Sequence, residues 1–425
     1  MQAATALQSR LAESSKAHLI WVPGRIEIAG KHTDYAGGRS LIAPTEQGIA
    51  MIVVPRRDRN IFVVDARSQQ SFELSLDEQT TNRRQDWRTY FVEVARRLEQ
   101  NFPSLSRGAN LSFISNLPAA AGLSSSSALV VGAFLALARV NSLQDRKAFR
   151  QAIPTREALA GYLGAVENGY SHGSLAGAVG VGTFGGSEDH TAILCGQEGR
   201  IVQYSYSPVR FERSIRLPTD LVFVIAASGI QAEKTGSAMA EYNRLSLQSR
   251  AVAAVWRKAT GRNLSDLGSI LAADRGAADT FGSLGGHLED SDFTVDELIS
   301  RFQHFEQENE VIVPGAAKAL EADDLGRFGE WIDESMHLAE SLLGNQIAET
   351  SFLATKARQL GAVAASAFGA GFGGAVWALV PRGEAEKFKY HFREAYWREF
   401  PQHRDSATFF FTDAGAPAME ITPDS

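Results

Sequence analysis

The chain has 425 residues, 44% of them hydrophobic and 21% charged, and a net charge of −7. That suffices for about two or three ordinary globular domains and excludes a broad nucleic-acid-binding face, which needs a basic surface, but not a small polyanion held locally. The single cysteine, Cys195, excludes an internal disulfide and a multi-cysteine zinc site; the longest clean apolar run, Ala128–Ala138, is too short to span a bilayer, and residues 1–17 lack the pattern of a signal peptide, so a cytoplasmic protein is expected.

In chain order, Met1–Ala17 reads as a short helix and Leu19–Val22 as a strand running into Pro23-Gly24. Arg25–Gly30 alternates again, with Ile26 and Ile28 on one face, and breaks at K-H-T-D-Y-A-G-G, residues 31–38. Ile49–Val54 and Ile61–Val64 flank Pro55–Asn60 as a hairpin. Trp87–Gln100 puts Tyr90, Val94 and Leu98 on one side of a helix. Leu111–Ile114 is a strand, Ala128–Ala138 a buried helix, and Thr155–Val166 a helix ending near Glu167. Residues 171–186 hold six glycines and read as loop. Leu221–Ala226 is a fully apolar strand after the Leu217-Pro218 break, which divides the chain into domains 1–217 and 218–425. Helices follow over 233–259, 294–309, 324–343 and 349–360, and two late strands, Val376–Val380 and Thr408–Phe411, predict a small sheet covered by helices.

Between the strand at Leu111–Ile114 and the helix at Ala128–Ala138 lies L-P-A-A-A-G-L-S-S-S-S-A-L, residues 117–129. Small side chains let backbone approach a ligand, and the serines fall where the first helical turn leaves its N–H groups unpaired. The stretch is either a serine-capped helix after a tight turn or an anion site at a helix N-terminus. Gly369-Ala-Gly371-Phe-Gly373-Gly374 contains G-x-G-x-x-G, but with a helix before it and a strand after it, the reverse of a dinucleotide-binding context. It marks backbone that passes close to a ligand or to another loop. Gly24–His32 misses the Walker A spacing by one residue and has His32 where Ser or Thr should hold magnesium, and no protein-kinase motif set is present. Arg25, His32 and Asp34 surround a turn and suit either a solvated surface or sugar hydroxyls. Asp189 sits on G-G-S-E-D-H, residues 185–190, between a glycine hinge and the apolar run Ala192–Leu194, where a carboxylate either caps or solvates the turn or is placed to act as a base. Glu167 ends a helix as a carboxylate, which the dipole disfavours, and so calls for a cation partner.

Three stretches coincide in order with those of the GHMP small-molecule kinases, and within them the chain most resembles the galactokinase family. G-R-I-E-I-A-G-K-H-T-D-Y-A-G-G (24–38) is similar to the sugar signature, P-A-A-A-G-L-S-S-S-S (118–127) to the phosphate loop, and residues 369–374 to the third, glycine-rich motif. W-R-T-Y at 87–90, E-Y-N at 241–243 and H-x-x-x-E-N at 304–309 are weaker echoes. The resemblance implies an α+β, two-domain GHMP kinase fold: an N-terminal α+β domain, a C-terminal ferredoxin-like domain and the active site between them. It implies ATP-dependent phosphorylation of the anomeric hydroxyl of a free sugar, with ATP and Mg²⁺. On its motifs, Asp189 and Arg25 match the catalytic pair, and His32, Asp34, Gly186 and Tyr242 match sugar contacts. Trp87 and Ala120, Ala121, Gly122, Leu123, Ser124, Ser125 and Ser126 match the nucleotide site, and Ser124 and Glu167 match the residues near magnesium. Lys31 replaces the usual glutamate of the signature and Glu27 an asparagine; Lys31 therefore becomes a candidate sugar contact that favours an acidic acceptor, or else swings to solvent. Extra residues lie between Glu167 and Asp189. The leading expectation is a galactokinase; a kinase for galacturonate or arabinose and a non-catalytic sugar and ATP sensor are the alternatives. A monomer or weak homo-oligomer is expected.

Overall fold

The computed structural model describes residues 17–77, 86–118, 122–230, 239–287 and 291–421. The helix expected over Met1–Ala17, the start of the one expected from Glu233, and Ala120 and Ala121 lie outside these residues. β1 (His18–Ala29) pairs antiparallel with β2 (Arg39–Pro55). The break expected at Pro23-Gly24 does not end the strand. Register shifts at Pro23/Arg25 and Glu27/Ala29 absorb it as bulges, where a sheet tolerates a residue with no N–H to donate.

The hairpin expected around Pro55–Asn60 is not formed. β3 (Asn60–Asp65) pairs antiparallel with β4 (Ser71–Ser75), and β5 (Ala109–Ser115) lies between β2 and β3, antiparallel to one and parallel to the other. α1 (Arg88–Asn101) provides the crossover that parallel neighbours require. Gly108 lets the backbones come close: a Cβ there would stand 1.8 Å from the Asn60 carbonyl oxygen, and its backbone bonds Arg56 and Asp58. α2 (Ser125–Val140) lies on β1 and β2, and its apolar run is buried almost all round. α3 (Arg156–Asn168), capped by Thr155, packs against α4 (Glu188–Cys195). Ala192–Leu194, an apolar run in the sequence, belongs to α4; so short a run does not by itself distinguish strand from helix. β6 (Arg200–Ser205) pairs with the first residues of β2, and β7 (Arg210–Arg216) with β6.

β8 (Leu221–Ala227) opens a second sheet. From it the chain runs through α5 (Met239–Thr260), α6 (Val295–Glu306), α7 (Val313–Glu321), α8 (Leu325–Leu338) and α9 (Ala348–Gln359). β9 (Ala364–Phe368) and β10 (Ala375–Pro381) follow, then α10 (Ala385–Glu399) and β11 (Thr408–Thr412). The sheet is antiparallel in the order β11-β8-β10-β9. Counted along the chain this is 4-1-3-2, a ferredoxin-like sheet with helices after its first and third strands. β9 is absent from the sequence reading because its alanine-rich A-A-S-A-F has little strand propensity. The helices expected over 294–309 and 324–343 both end in π-helical turns, Gln307–Ile312 and Ala339–Leu343.

β8 is apolar throughout because both its faces are covered. Leu221, Phe223, Ile225 and Ala227 enter the core shared with the first sheet, while Val222, Val224 and Ala226 enter a second core with α9 and α10. Trp377 of β10 donates its indole N–H to the Glu27 carbonyl of β1 at 3.0 Å, and β12 (Met419–Ile421) returns to pair with β1. Among the described residues no helix is long and apolar enough to cross a membrane.

Candidate active site

One pocket gathers Arg25 and Glu27 of β1, His32, Asp34 and Tyr35 of the turn after it, Ser127 of α2, Glu167 and Asn168 of α3, and Gly185, Gly186 and Glu188–His190 at the start of α4. Tyr242 of α5 and Gly369-Ala370, between β9 and β10, close it. The two sheets and the helices between β8 and β9 thus meet at one cleft.

Arg25 and Asp189 form its centre. Both are buried, and the Arg25 Nε and Nη2 atoms stand 2.8 and 2.6 Å from Asp189 Oδ1. Nη1 of Arg25 is bonded to the Gly122 carbonyl, and its Nε lies 3.7 Å from Glu188 Oε1. Burial opposes the Arg25 charge, but Asp189, Glu188 and Glu27 more than offset that and raise its pKa. Asp189 stands in the first turn of α4, where the helix dipole favours a carboxylate. The Ser127 hydroxyl lies 2.8 Å from Glu167 Oε2 and 3.2 Å from Asp189 Oδ2, so its one proton serves one carboxylate at a time. His190 Nε2 stands 3.0 Å from Glu167 Oε2 without hydrogen-bond alignment.

The turn after β1 is tied to α4. Asp34 accepts from the backbone N–H of Tyr35 at 2.8 Å and of Glu188 at 3.0 Å, so it caps the helix that carries Asp189. Gly186 allows this approach, since a Cβ there would meet Asp34 Oδ2 at 2.3 Å. His32 bonds on both sides, Nε2 to the Ala370 carbonyl at 3.1 Å and Nδ1 to the Tyr35 hydroxyl at 2.7 Å. A carbonyl only accepts, so Nε2 carries the proton and Nδ1 accepts from Tyr35. Burial pushes the Tyr35 hydroxyl up to about 12, which keeps it a donor. The buried Tyr242 lies with its ring centroid 5.9 Å from that of His32.

Lys31 is not among the pocket-lining residues, nor does it swing to solvent. It is 1% exposed, and its ammonium donates to Ser335 Oγ of α8 at 3.0 Å. Ser335 in turn donates to Glu308 Oε1 at 2.9 Å, the oxygen that accepts from the Gly30 and Lys31 N–H groups at 2.6 and 3.2 Å. Glu308, the glutamate of H-x-x-x-E-N, sits in the π-helical turn and holds the signature turn against the C-terminal helices. Arg301 holds the same turn through the His32 carbonyl, at 2.6 Å.

At the other end of the cleft, Gly122 and Ser124 have φ of 77° and 60°, and α2 begins at Ser125 with no side-chain cap. The serines therefore do not cap the helix. The Ser124 hydroxyl is buried with no partner among the described residues, and Ser125 and Ser126 are half-buried in the first turn. The third glycine motif passes close to another loop: a Cβ on Gly369 would meet the Gly122 carbonyl at 3.2 Å, and one on Gly371 the Asn345 carbonyl at 2.3 Å. Trp87 lies outside this pocket, in an aromatic cluster with Phe72, Phe91 and Phe113 at 5.2–5.9 Å. Ser127, Glu188 and His190 are pocket residues that the sequence reading did not single out, although Ser127 ends the serine run and the others flank Asp189.

Comparison with known families defines the class first. The model of the GHMP kinases N terminal domain matches residues 89–195, and that of the GHMP kinases C terminal domain residues 316–397. The galactokinase galactose-binding signature matches residues 8–55. Galactokinase of Lactobacillus helveticus is 26% identical over 385 residues, 88% of each chain, and that of Roseiflexus sp. (strain RS-1) 28% identical over 383 residues, 89% of this chain and 87% of the relative. The crystal structure of Lactococcus lactis galactokinase complexed with galactose superposes with a TM-score of 0.79 at 24% identity, covering 98% of this chain and 99% of that one. Methanococcus jannaschii mevalonate kinase shares the fold more distantly, with a TM-score of 0.55 at 13% identity over 94% and 99% of the two chains. The chain belongs to the galactokinase family of the GHMP kinases.

Proposed function

We propose that the protein is an ATP-dependent sugar 1-kinase that transfers the γ-phosphoryl group of ATP to the anomeric hydroxyl of galactose. The observation that carries this reading is the Arg25–Asp189 pair at 2.6–2.8 Å, between the signature turn and the start of α2. Phosphoryl transfer asks a protein mainly for positioning and charge stabilisation. Asp189 accepts or orients the proton of the C1 hydroxyl, and Arg25 holds it ionised and offsets charge on the transferred group. His32, Asp34, Gly186 and Tyr242 hold the sugar hydroxyls.

The run from Ala120 to Ser126 binds the nucleotide phosphates, with the unpaired N–H groups at the start of α2 as donors, and Trp87 borders the nucleotide. Mg²⁺ prefers a few protein oxygens beside substrate phosphates. The buried Ser124 hydroxyl, without a partner among the described residues, and the Glu167 carboxylate fit that donor set. When bound, the ion neutralises phosphate charge.

Five carboxyl side chains line the pocket (Glu27, Asp34, Glu167, Glu188 and Asp189) against one arginine, Arg25. That field disfavours an acidic acceptor, so the preference is for neutral galactose over galacturonate. Arabinose carries no such penalty. The Arg25–Asp189 pair argues against a sensor that has lost catalysis. We read the domains as 1–217 and 218–425, and the protein as a cytoplasmic monomer or weak homo-oligomer. A panel of galactose, galacturonate, arabinose and glucose with Mg·ATP, read as ADP release, tests the substrate. Galactose is expected to lead, and a preference for galacturonate would overturn the reading.

The nucleotide assignment has its own test. Ser124→Ala removes an unpaired buried hydroxyl, so stability should hold. A lost bond to a charged partner is worth about 1.5–3 kcal/mol, so Mg·ATP affinity should fall roughly ten-fold or more by calorimetry. Unchanged affinity would remove Ser124 from the site.

A further inference from the structure

Two carboxyls of the acceptor pocket have no part in the reaction as derived above. Glu27 of β1 and Glu188, the residue before Asp189, are 4% and 5% exposed, and their side chains hydrogen-bond one another. The other carboxyls nearby are supplied with donors. Asp34 takes two backbone N–H groups, Asp189 takes Arg25, Glu167 faces the Ser127 hydroxyl, and Glu308 takes two backbone N–H groups and Ser335. Among the described residues, the nearest charged donor to the pair is Arg25 Nε, 3.7 Å from Glu188 Oε1 and already bonded to Asp189, and Glu27 Oε1 has no partner.

Two buried carboxylates in contact cannot both be ionised without donors, because neither receives a hydrogen bond and each repels the other. A single proton removes both problems, since a protonated carboxyl is a donor. We propose that Glu27 and Glu188 share one proton, and that this pair is a positioning device that keeps Arg25 on Asp189 and sets the alkaline limit of catalysis. The catalytic half of this inference rests on the kinase reading of Asp189; the shared proton does not.

The groups around the pair are consistent with it. Burial, then Glu27, Asp34 and Asp189, pushes the Glu188 carboxyl well above the usual range, with Arg25 opposing. Burial also raises Glu27, helped by Glu308 and opposed by Lys31, Arg25 and the bond to Glu188. While the proton is held, the pair carries one negative charge and Arg25 keeps both its contacts to Asp189 Oδ1. As pH rises through the raised range the proton leaves. Glu188 then presents a full charge to Arg25 and competes with Asp189 for the guanidinium, so turnover falls on the alkaline side.

The test uses Glu27→Gln and Glu188→Gln. Each amide replaces the shared proton with a fixed N–H donor and keeps the shape and the single charge, so the alkaline titration disappears. In Glu188→Gln, which leaves the charge on Glu27, the alkaline limb of kcat against pH should move up by about one pH unit or more. In Glu27→Gln, which fixes the charge on Glu188 beside Arg25, turnover should fall across the whole profile and that limb should be lost, whereas a merely structural role would leave its position unchanged. Infrared spectroscopy of the protein without substrates gives an independent readout: a protonated-carboxyl C=O band that disappears as pH rises, in step with the fall in turnover, and is lost in both variants. An alkaline limb that stays put in Glu188→Gln, or a band that persists in both variants, overturns the proposal. If galactose is not phosphorylated at all, the kinase reading fails while the infrared band still decides whether the proton is shared.

Discussion

Asp189→Asn is expected to lower turnover about 10²–10⁴-fold, the usual worth of acid–base assistance, while Mg·ATP affinity stays near wild type. The amide keeps the shape of the side chain but loses its charge and basicity. Two effects combine. The C1 hydroxyl loses the group that takes or orients its proton, and Arg25 loses the partner it holds at 2.6–2.8 Å. Glu188, 3.7 Å away, then becomes the nearest carboxyl for the guanidinium, which draws it off the reacting group. Ser127 loses one of its two carboxylate partners, but the Ser124 hydroxyl is untouched, so nucleotide titration by calorimetry should give a value near wild type. ADP release at saturating galactose measures the loss. Turnover within a few-fold of wild type would mean that another group does this work.

Lys31→Glu is expected to cost about 3–5 kcal/mol of stability, the scale for leaving a buried charge without its partner, and to leave the ratio of galactose to galacturonate activity unchanged. The sequence alone makes Lys31 either a candidate sugar contact or a side chain that swings to solvent. Its position points elsewhere. The ammonium is buried, bonded to Ser335, and is the strongest of the charges opposing ionisation loss at Glu27. A carboxylate there would face Glu27 and Glu308 with no cation between them. In the signature that residues 24–38 resemble, a glutamate takes the place of Lys31 and an asparagine that of Glu27, so that pattern sets no two carboxylates against each other. Lys31→Glu combined with Glu27→Asn should therefore regain much of the stability that Lys31→Glu loses. Denaturant unfolding of the two variants measures this. A Lys31→Glu protein of wild-type stability with a shifted sugar ratio would return Lys31 to the acceptor site.

The sequence by itself determined what local periodicity and local chemistry encode. The small-residue turn and apolar run at 117–140 read as a loop and a buried helix because their pattern is complete within the segment. β8 reads as a strand because seven consecutive small or apolar residues have no polar face to expose. The order of three glycine-rich and serine-rich motifs was sufficient to indicate the family, and with it Arg25 and Asp189. Tertiary structure alone decided which distant segments touch. β5 enters between β2 and β3 because Gly108 admits a backbone approach that no side chain permits, and nothing near Pro55–Asn60 announces it. Asp34 caps α4 from a turn far away in the chain, and Ser127, rather than Ser124, meets Glu167, because helix rotation selects which of four serines faces inward. Lys31 turns to Ser335 and Glu27 meets Glu188 for the same reason. The sign and partner of a buried charge depend on what is packed around it, and packing is a property of the assembled chain.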